Sequence, residues 1–376
     1  MRVAIVGAGS LGTIIGALMN REGRPVDLVD TNQAHVNALN DLGARITGEM
    51  DLIVPVQALT PQQMSGAYDL VFLLSKQTAN QAVLSHLLNH LHTDSIVCTL
   101  QNGIPEPSVA AVVGQDRTLG GAVGFGATWI GPGVSQLTTT AEAVSRFAFE
   151  IGEMDGTMRP RLKIVQDYLA CVGQTELLAD LMGIRWSKVL MNATFSGMSA
   201  ALGCTFGEVL DDPRALLCVA FLADETVRAA HAEGHRMAPM QGEDFERFAL
   251  PSPPDVQTVL PLIRTIWSQH RQLRASMLQD LEKCRNTEID YINGIVCSTG
   301  RKHGVPTPFN DRVVELVDAT VEAFPGVARI RILGCGAAGH QRARRCDGGN
   351  SGNSFLIHDP GIPINILLLS RPRDAA

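Results

Sequence analysis

The run MRVAIVGAGSLGTIIGALMN, residues 1–20, decides how the chain is read. Arg2 to Val6 is a short, largely β-branched stretch. Three glycines follow at once, spaced Gly7-x-Gly9-x-x-Gly12, and Ser10 to Asn20 then carries apolar residues at helical spacing. Strand, turn and helix in that order give each glycine its own duty. Gly7 permits the tight turn, Gly9 lets the backbone approach a pyrophosphate, and Gly12 lets helix and strand pack closely. Free N–H groups at the helix start would face the phosphates. Gly7, Ala8, Gly9, Ser10, Leu11 and Gly12 are therefore the expected dinucleotide loop. The bland alternative is a glycine-rich turn without a ligand, and the flanking strand and helix weigh against it.

A second strand over Pro25 to Val29 ends in Asp30. A carboxylate there accepts hydrogen bonds from the adenosine ribose hydroxyls and repels a 2′-phosphate, whereas NADP sites place an arginine nearby. Residues 31 to 35, Thr-Asn-Gln-Ala-His, hold no Lys or Arg, so the residues favour NADH.

At 376 residues the chain exceeds one ordinary core, and two domains are expected. The formal net charge of −7 and the scattered basic residues argue against nucleic acid as a partner. Eight widely spread cysteines form no C-x-x-C pair and have no histidine at zinc spacing. They read as reduced core thiols of a cytoplasmic protein without a metal. The apolar start holds four glycines and lacks a small-residue cleavage site, which argues against a signal peptide. No other run of eighteen apolar residues exists, so no membrane partner is expected.

Further strands are expected at Asp69 to Leu74, Ser95 to Leu100 and Thr118 to Val123, with helical patterns between them such as Thr78 to His92. This alternation predicts a doubly wound sheet. Two strand ends carry polar residues where open α/β sheets hold ligands: Ser75-Lys76-Gln77 and Gln101-Asn102-Gly103. Lys76 would serve equally as a solvated helix start, and Asn102 as a turn residue. Beyond about residue 178 the strand signals stop. Amphipathic helices follow at Leu181 to Leu202, Asp212 to Glu233 and Ser276 to His303. The expected organisation is an α/β dinucleotide-binding domain over 1–178, an all-α domain over 179–326 and an irregular tail over 327–376.

In MGIRWSKVLMNATFSG (182–197), Lys188 and Asn192 are four apart and share a helix face. A snorkelling surface lysine is the plain reading. In SMLQDLEKCRNTEIDYING (276–294), Ser276 with Gln279 makes a capping box that would explain the serine structurally. Glu288 lies among apolar residues and could simply pair with a cation. Together with VGAGSLG (6–12), SKQ (75–77), LQNG (100–103), WSKVLMN (186–192) and HGVPTPFN (303–310), these stretches resemble the ketopantoate reductase family over about residues 1 to 325. The resemblance implies a Rossmann-type α/β domain, an all-α domain and an active site in the cleft between them. It implies Lys188 as general acid and Glu288 as substrate holder, with Asn102, Asn192 and Ser276 in the site. Gly7 to Gly12, Lys76, Asn102 and Glu288 would contact the cofactor, and the family habit is NADPH. The resemblance is compatible with a homodimer.

The chemistry agrees with that assignment. Hydride transfer to a ketone leaves an alkoxide that needs a proton from a donor with a pKa lowered towards neutrality. Desolvation would lower the pKa of Lys188 and a neighbouring Glu288 would raise it. Two positions depart from the family: Ser196 and Phe206 stand where asparagines are common. A less polar pocket, with Ser196 still at hand as a substrate contact, would suit a 2-oxo acid lacking the hydroxyl of ketopantoate. The leading expectation is NAD(P)H-dependent reduction of a small-molecule 2-oxo acid. The alternatives are an NAD-dependent dehydrogenase of a 2-hydroxy acid and a non-catalytic dinucleotide sensor.

Overall fold

The structure, a computed structural model, describes residues 1–240 and 242–323. The expected tail over 327–376, with Cys335 and Cys346, lies outside the described residues. The apolar run at the start forms β1 (Val3–Val6), buried along its whole length, and the chain turns through the glycines into α1 (Ser10–Arg21). There follow β2 (Asp27–Val29), α2 (Gln33–Leu42), β3 (Ala44–Gly48), β4 (Leu52–Val54), β5 (Gln57–Leu59), β6 (Tyr68–Leu73), α3 (Asn80–Leu87), β7 (Leu91–Thr99), α4 (Glu106–Val113), β8 (Thr118–Val123), β9 (Ala127–Gly131) and β10 (Val134–Leu137). Then come α5 (Ala141–Arg146), β11 (Phe149–Gly152), α6 (Pro160–Leu169) and β12 (Thr175–Leu178).

Eight strands form one sheet in the order β12-β11-β8-β7-β6-β1-β2-β5, parallel except where β11 runs against β8. The order reverses between β1 and β6, and a reversal of this kind opens a crevice beyond the carboxyl ends of the strands. A second sheet, β4-β3-β10-β9, packs beside α1. Its strands are three to five residues long, too short for alternation to announce them.

The helical domain follows as α7 (Leu181–Met191), a π turn (Asn192–Ser196), α8 (Gly197–Leu202), α9 (Phe206–Asp211), α10 (Pro213–Ala232), α11 (Leu260–Trp267), α12 (Ser276–Glu282), α13 (Ile289–His303) and α14 (Pro308–Ala323). Its own apolar core holds the stacked pair Phe195 and Trp267, with ring centroids 4.5 Å apart. Buried Glu225 of α10 accepts hydrogen bonds from the backbone N–H groups of Phe309 and Asn310 and so caps α14.

The structure corrects several expectations. The helix expected over Ser276–His303 is two helices, because the chain turns between them with Cys284 at φ 54°. The Ser276 capping box does not form: Ala275 holds the N-cap position and no side chain caps it, while Gln279 donates to the Arg274 carbonyl. The helix expected over Thr78–His92 stops short, since β7 already begins at Leu91. Cys98, Cys218 and Cys297 are buried, but Cys284 is exposed.

The glycine loop shows why its residues are what they are. Gly7 has φ +99°, and a Cβ there would lie 2.2 Å from the Ser75 backbone nitrogen. A Cβ on Gly12 would lie 2.2 Å from the Gly7 carbonyl oxygen. A Cβ on Gly9 would meet nothing within 4 Å, so its space opens into the crevice. Substitution should therefore separate folding from binding. Gly7→Ala is expected to lower Tm by about 5 °C or more, whereas Gly9→Ala should stay within about 2 °C of wild type. Gly9→Ala should nonetheless weaken dinucleotide binding about tenfold or more, because the backbone can no longer approach the pyrophosphate. Thermal melts and fluorescence titration of both variants check the separation.

Candidate active site

A cleft of about 1170 Å³ runs from the crevice at the sheet reversal to the helical domain. Gly7, Gly9, Ser10, Leu11 and Gly12 line one part of it. The α1 terminus there has no side-chain cap and no acidic residue in its first turn, which leaves free N–H groups and a positive dipole end. The Ser75 hydroxyl beside it is buried without a partner. Open space at Gly9, an uncapped helix start and an orphan hydroxyl fit a dinucleotide pyrophosphate. Asp30 lines the cleft at the end of β2. Its Oδ1 accepts from the Asn32 N–H at 2.9 Å, which leaves Oδ2 for a ribose. Ala8 is buried and off the cleft wall; its carbonyl is held from behind by His35 Nε2 at 2.7 Å.

Lys188, Asn192, Ser276, Asn102, Lys76 and Glu288 all line the same cleft. Lys188 Nζ donates to the Val123 carbonyl at 3.2 Å. Burial holds the Lys188 pKa below the ordinary lysine range, Glu150 opposes that shift and Arg185 adds to it. The carboxylate acting on Lys188 is thus Glu150 of β11, where the sequence suggested Glu288. Glu288 instead accepts the Gln77 backbone N–H at 2.8 Å. Burial raises its pKa, the Gln77 N–H and Lys76 counter the rise, and Asp280 reinforces it. Lys76 pairs with Asp280 at 2.5 Å. The Asn192 Nδ2 is buried without an acceptor. Ser196 is buried and not on the cleft wall, and Phe206 packs on Phe195 with ring centroids 5.4 Å apart.

Other contacts that shape this site could not be read from the sequence. Gln77 Nε2 donates to the Asn102 carbonyl, and Gln101 Nε2 donates to the Ser75 carbonyl at 2.6 Å and to Asn80 Oδ1 at 2.7 Å. Arg185 and Glu106 form a pair with exposures of 1% and 0%. Arg185 had one visible signal, a charge three residues before Lys188 on an otherwise apolar helix. Among the described residues no His, Cys, Asp or Glu cluster is placed to hold a metal, and no helix is long and apolar enough to cross a membrane.

Comparison with known proteins agrees with this geometry. The model of ketopantoate reductase PanE/ApbA matches residues 3–150, and that of its C-terminal part matches residues 180–321. A 2-dehydropantoate 2-reductase of Archaeoglobus fulgidus is 26% identical over 318 residues, which is 84% of this chain and 96% of that protein. One of Pyrococcus abyssi is 28% identical over 313 residues, covering 82% and 94%. Among solved structures, D-mandelate dehydrogenase with NADH and anilino(oxo)acetate superposes with TM-score 0.74 at 24% identity, over 86% of this chain and 99% of that one. A PanE/ApbA family ketopantoate reductase from Ralstonia eutropha does so with TM-score 0.73 at 23% identity, over the same shares. The chain accordingly belongs to the ketopantoate reductase family and is a nicotinamide-dinucleotide oxidoreductase acting on a CH–OH group.

Proposed function

We propose that this chain reduces a 2-oxo acid to the 2-hydroxy acid, with ketopantoate the first substrate to try. The observation that carries the reading is Lys188: an amine whose pKa is pulled down by burial, on the wall of a dinucleotide cleft. The cofactor, when bound, supplies hydride from nicotinamide C4 to the ketone carbon. Everything else falls to the chain. Lys188 gives its proton to the developing alkoxide. The unpartnered Asn192 amide donates to a substrate oxygen, and the Ser276 hydroxyl, released from helix capping, donates to the carboxylate. Asn102 and Glu288 orient the reactants from the two banks of the cleft, and Lys76, tied to Asp280, borders the cofactor. A non-catalytic sensor would not need such a proton donor.

A second reading has its own support. Ser196 does not reach the cleft wall and Phe206 is committed to the core, while Phe125 and Trp129 line the cleft. A 2-oxo acid with a bulky apolar side chain suits such walls better than one with a hydroxyl. NADH or NADPH oxidation measured against a panel of 2-oxo acids, ketopantoate and phenyl-substituted acids included, tests both readings. No turnover with any of them overturns the reductase assignment.

Lys188→Ala should cut kcat by a factor of about 10² to 10⁴ with dinucleotide affinity nearly unchanged. Reduction needs the protonated amine, so kcat/KM should fall as pH rises through a pKa below the ordinary lysine range, and this limb should vanish in the variant. Steady-state kinetics across pH 6–10 reads both effects.

The free Asp30 oxygen and the absence of a cation at 31–35 support NADH over NADPH. The preference should reach about tenfold, equivalent to ~1.4 kcal/mol. Asp30→Ala with Thr31→Arg should reverse it, because repulsion goes and a phosphate partner arrives. Fluorescence titration of both cofactors with both proteins decides; tighter NADPH binding by the wild type would refute the role given to Asp30.

A further inference from the structure

Arg185 is a charge with almost no access to water, at 1% exposure, in the middle of the helix that carries Lys188. All its contacts cross into the α/β domain. Nε donates to Glu106 Oε1 at 2.6 Å, Nη1 to the Gln101 carbonyl at 2.7 Å and Nη2 to the Thr99 carbonyl at 3.1 Å. Those carbonyls belong to the end of β7 and the residue before Asn102. Glu106 opens α4 on the other side of the same turn, so the guanidinium holds the Asn102 turn from both flanks. The room is made for it: a Cβ on Gly120 would fall 1.9 Å from Glu106 Oε1. Gln101 passes the connection on to Ser75, beside the glycine loop.

We propose that Arg185, anchored by Glu106, is a positioning residue for the reaction, setting Asn102 and Lys188 in one register across the cleft. This rests on the reductase reading of the site. Arg185 works in two ways. Its planar fork ties three acceptors at once, which a lysine cannot do. Its cation also lies one helical turn from Lys188 and disfavours a second positive charge there. Two other titratable groups face Lys188: Glu150, from β11, which acts on it, and His270, from the segment before α12, whose own pKa burial and Lys188 both lower. Arg185 disfavours the lysine cation and Glu150 favours it, so removing Arg185 should shift the balance in a known direction. A simple interdomain staple would affect stability but neither the Lys188 titration nor turnover.

Two variants separate fork from charge. Arg185→Lys keeps the cation and loses the fork. The double variant Arg185→Met with Glu106→Gln removes both charges and leaves no ion buried alone. The proton equilibrium of Lys188 can be read without catalysis, from the pH dependence of its modification by trinitrobenzenesulfonate, followed by peptide mass. In the double variant the midpoint should rise by about half a pH unit or more. In Arg185→Lys the midpoint should stay, kcat should fall about tenfold and dinucleotide Kd should hold within about twofold. Full turnover in Arg185→Lys overturns the positioning role, and so does an unchanged midpoint in a folded double variant. If the double variant does not fold, Arg185→Lys decides alone. If the wild type reduces no 2-oxo acid, the reductase reading fails; the Lys188 midpoint and amide exchange at residues 101–103, expected to quicken about tenfold in Arg185→Lys, then decide whether Arg185 sets this register.

Discussion

The site depends on how closely two strand ends approach each other. β1 and β6 are parallel neighbours, and where they stop the Gly7 backbone sits so near Ser75 that no side chain fits between them. That contact opens the crevice over the glycine loop and fixes Ser75. The Ser75 carbonyl accepts from Gln101, and the Gln101 carbonyl accepts from Arg185. A short path of backbone carbonyls and amide and guanidinium donors thus runs from the dinucleotide loop to the helix that bears Lys188. Geometry set by a missing Cβ reaches that helix without passing through solvent.

Charge and amide contacts tie the two domains together at their seam. Lys76 meets Asp280, the Gln77 N–H meets Glu288, and Arg185 meets Glu106. A buried ion pair is weak evidence for net stability, because desolvation offsets most of the attraction. Removing one partner, however, costs about 3–5 kcal/mol. The buried Arg185–Glu106 pair therefore selects one alignment of the domains sharply while adding little to folding as such. Glu106 shows the same balance: burial raises its pKa, Arg185 opposes the rise, and its second oxygen has no partner.

What could be read from the sequence follows the range of the forces involved. The glycine turn, the strand that ends at Asp30, the alternation up to Val123 and the long helices α7 and α10 were legible because local periodicity and local backbone geometry specify them. The small second sheet was not, since its strands are only three to five residues long and its two local hairpins join through the distant pairing of β3 with β10. The break at Cys284 was hidden for a different reason. No Gly or Pro stands between Leu281 and Ile289 to mark the turn, and the residue at positive φ is a cysteine. Lys188, Asn192, Asn102 and Ser276 could be named individually and do share one cleft. The contacts made around them by Glu150, Arg185 and Gln77 could not, because each spans 25 or more residues.

Glu150 shows what that hidden layer contributes. On β11 it stands opposite Ala122, next to Val123, whose carbonyl receives the Lys188 amine. Burial raises the pKa of Glu150, Lys188 draws it back down and Glu176 pushes it up again. The lysine is pulled the opposite way by its own burial and by Arg185. In the proposed reductase role, a donor that loses and regains a proton within each turnover works best when neither form is strongly favoured. Burial alone would leave the amine neutral and unable to donate, while a close carboxylate alone would fix it as a cation. Glu150 on β11 and Arg185 on α7 act on the amine in opposite directions, and burial sides with Arg185. The lysine also stays bonded to a neutral carbonyl that holds its position in either state.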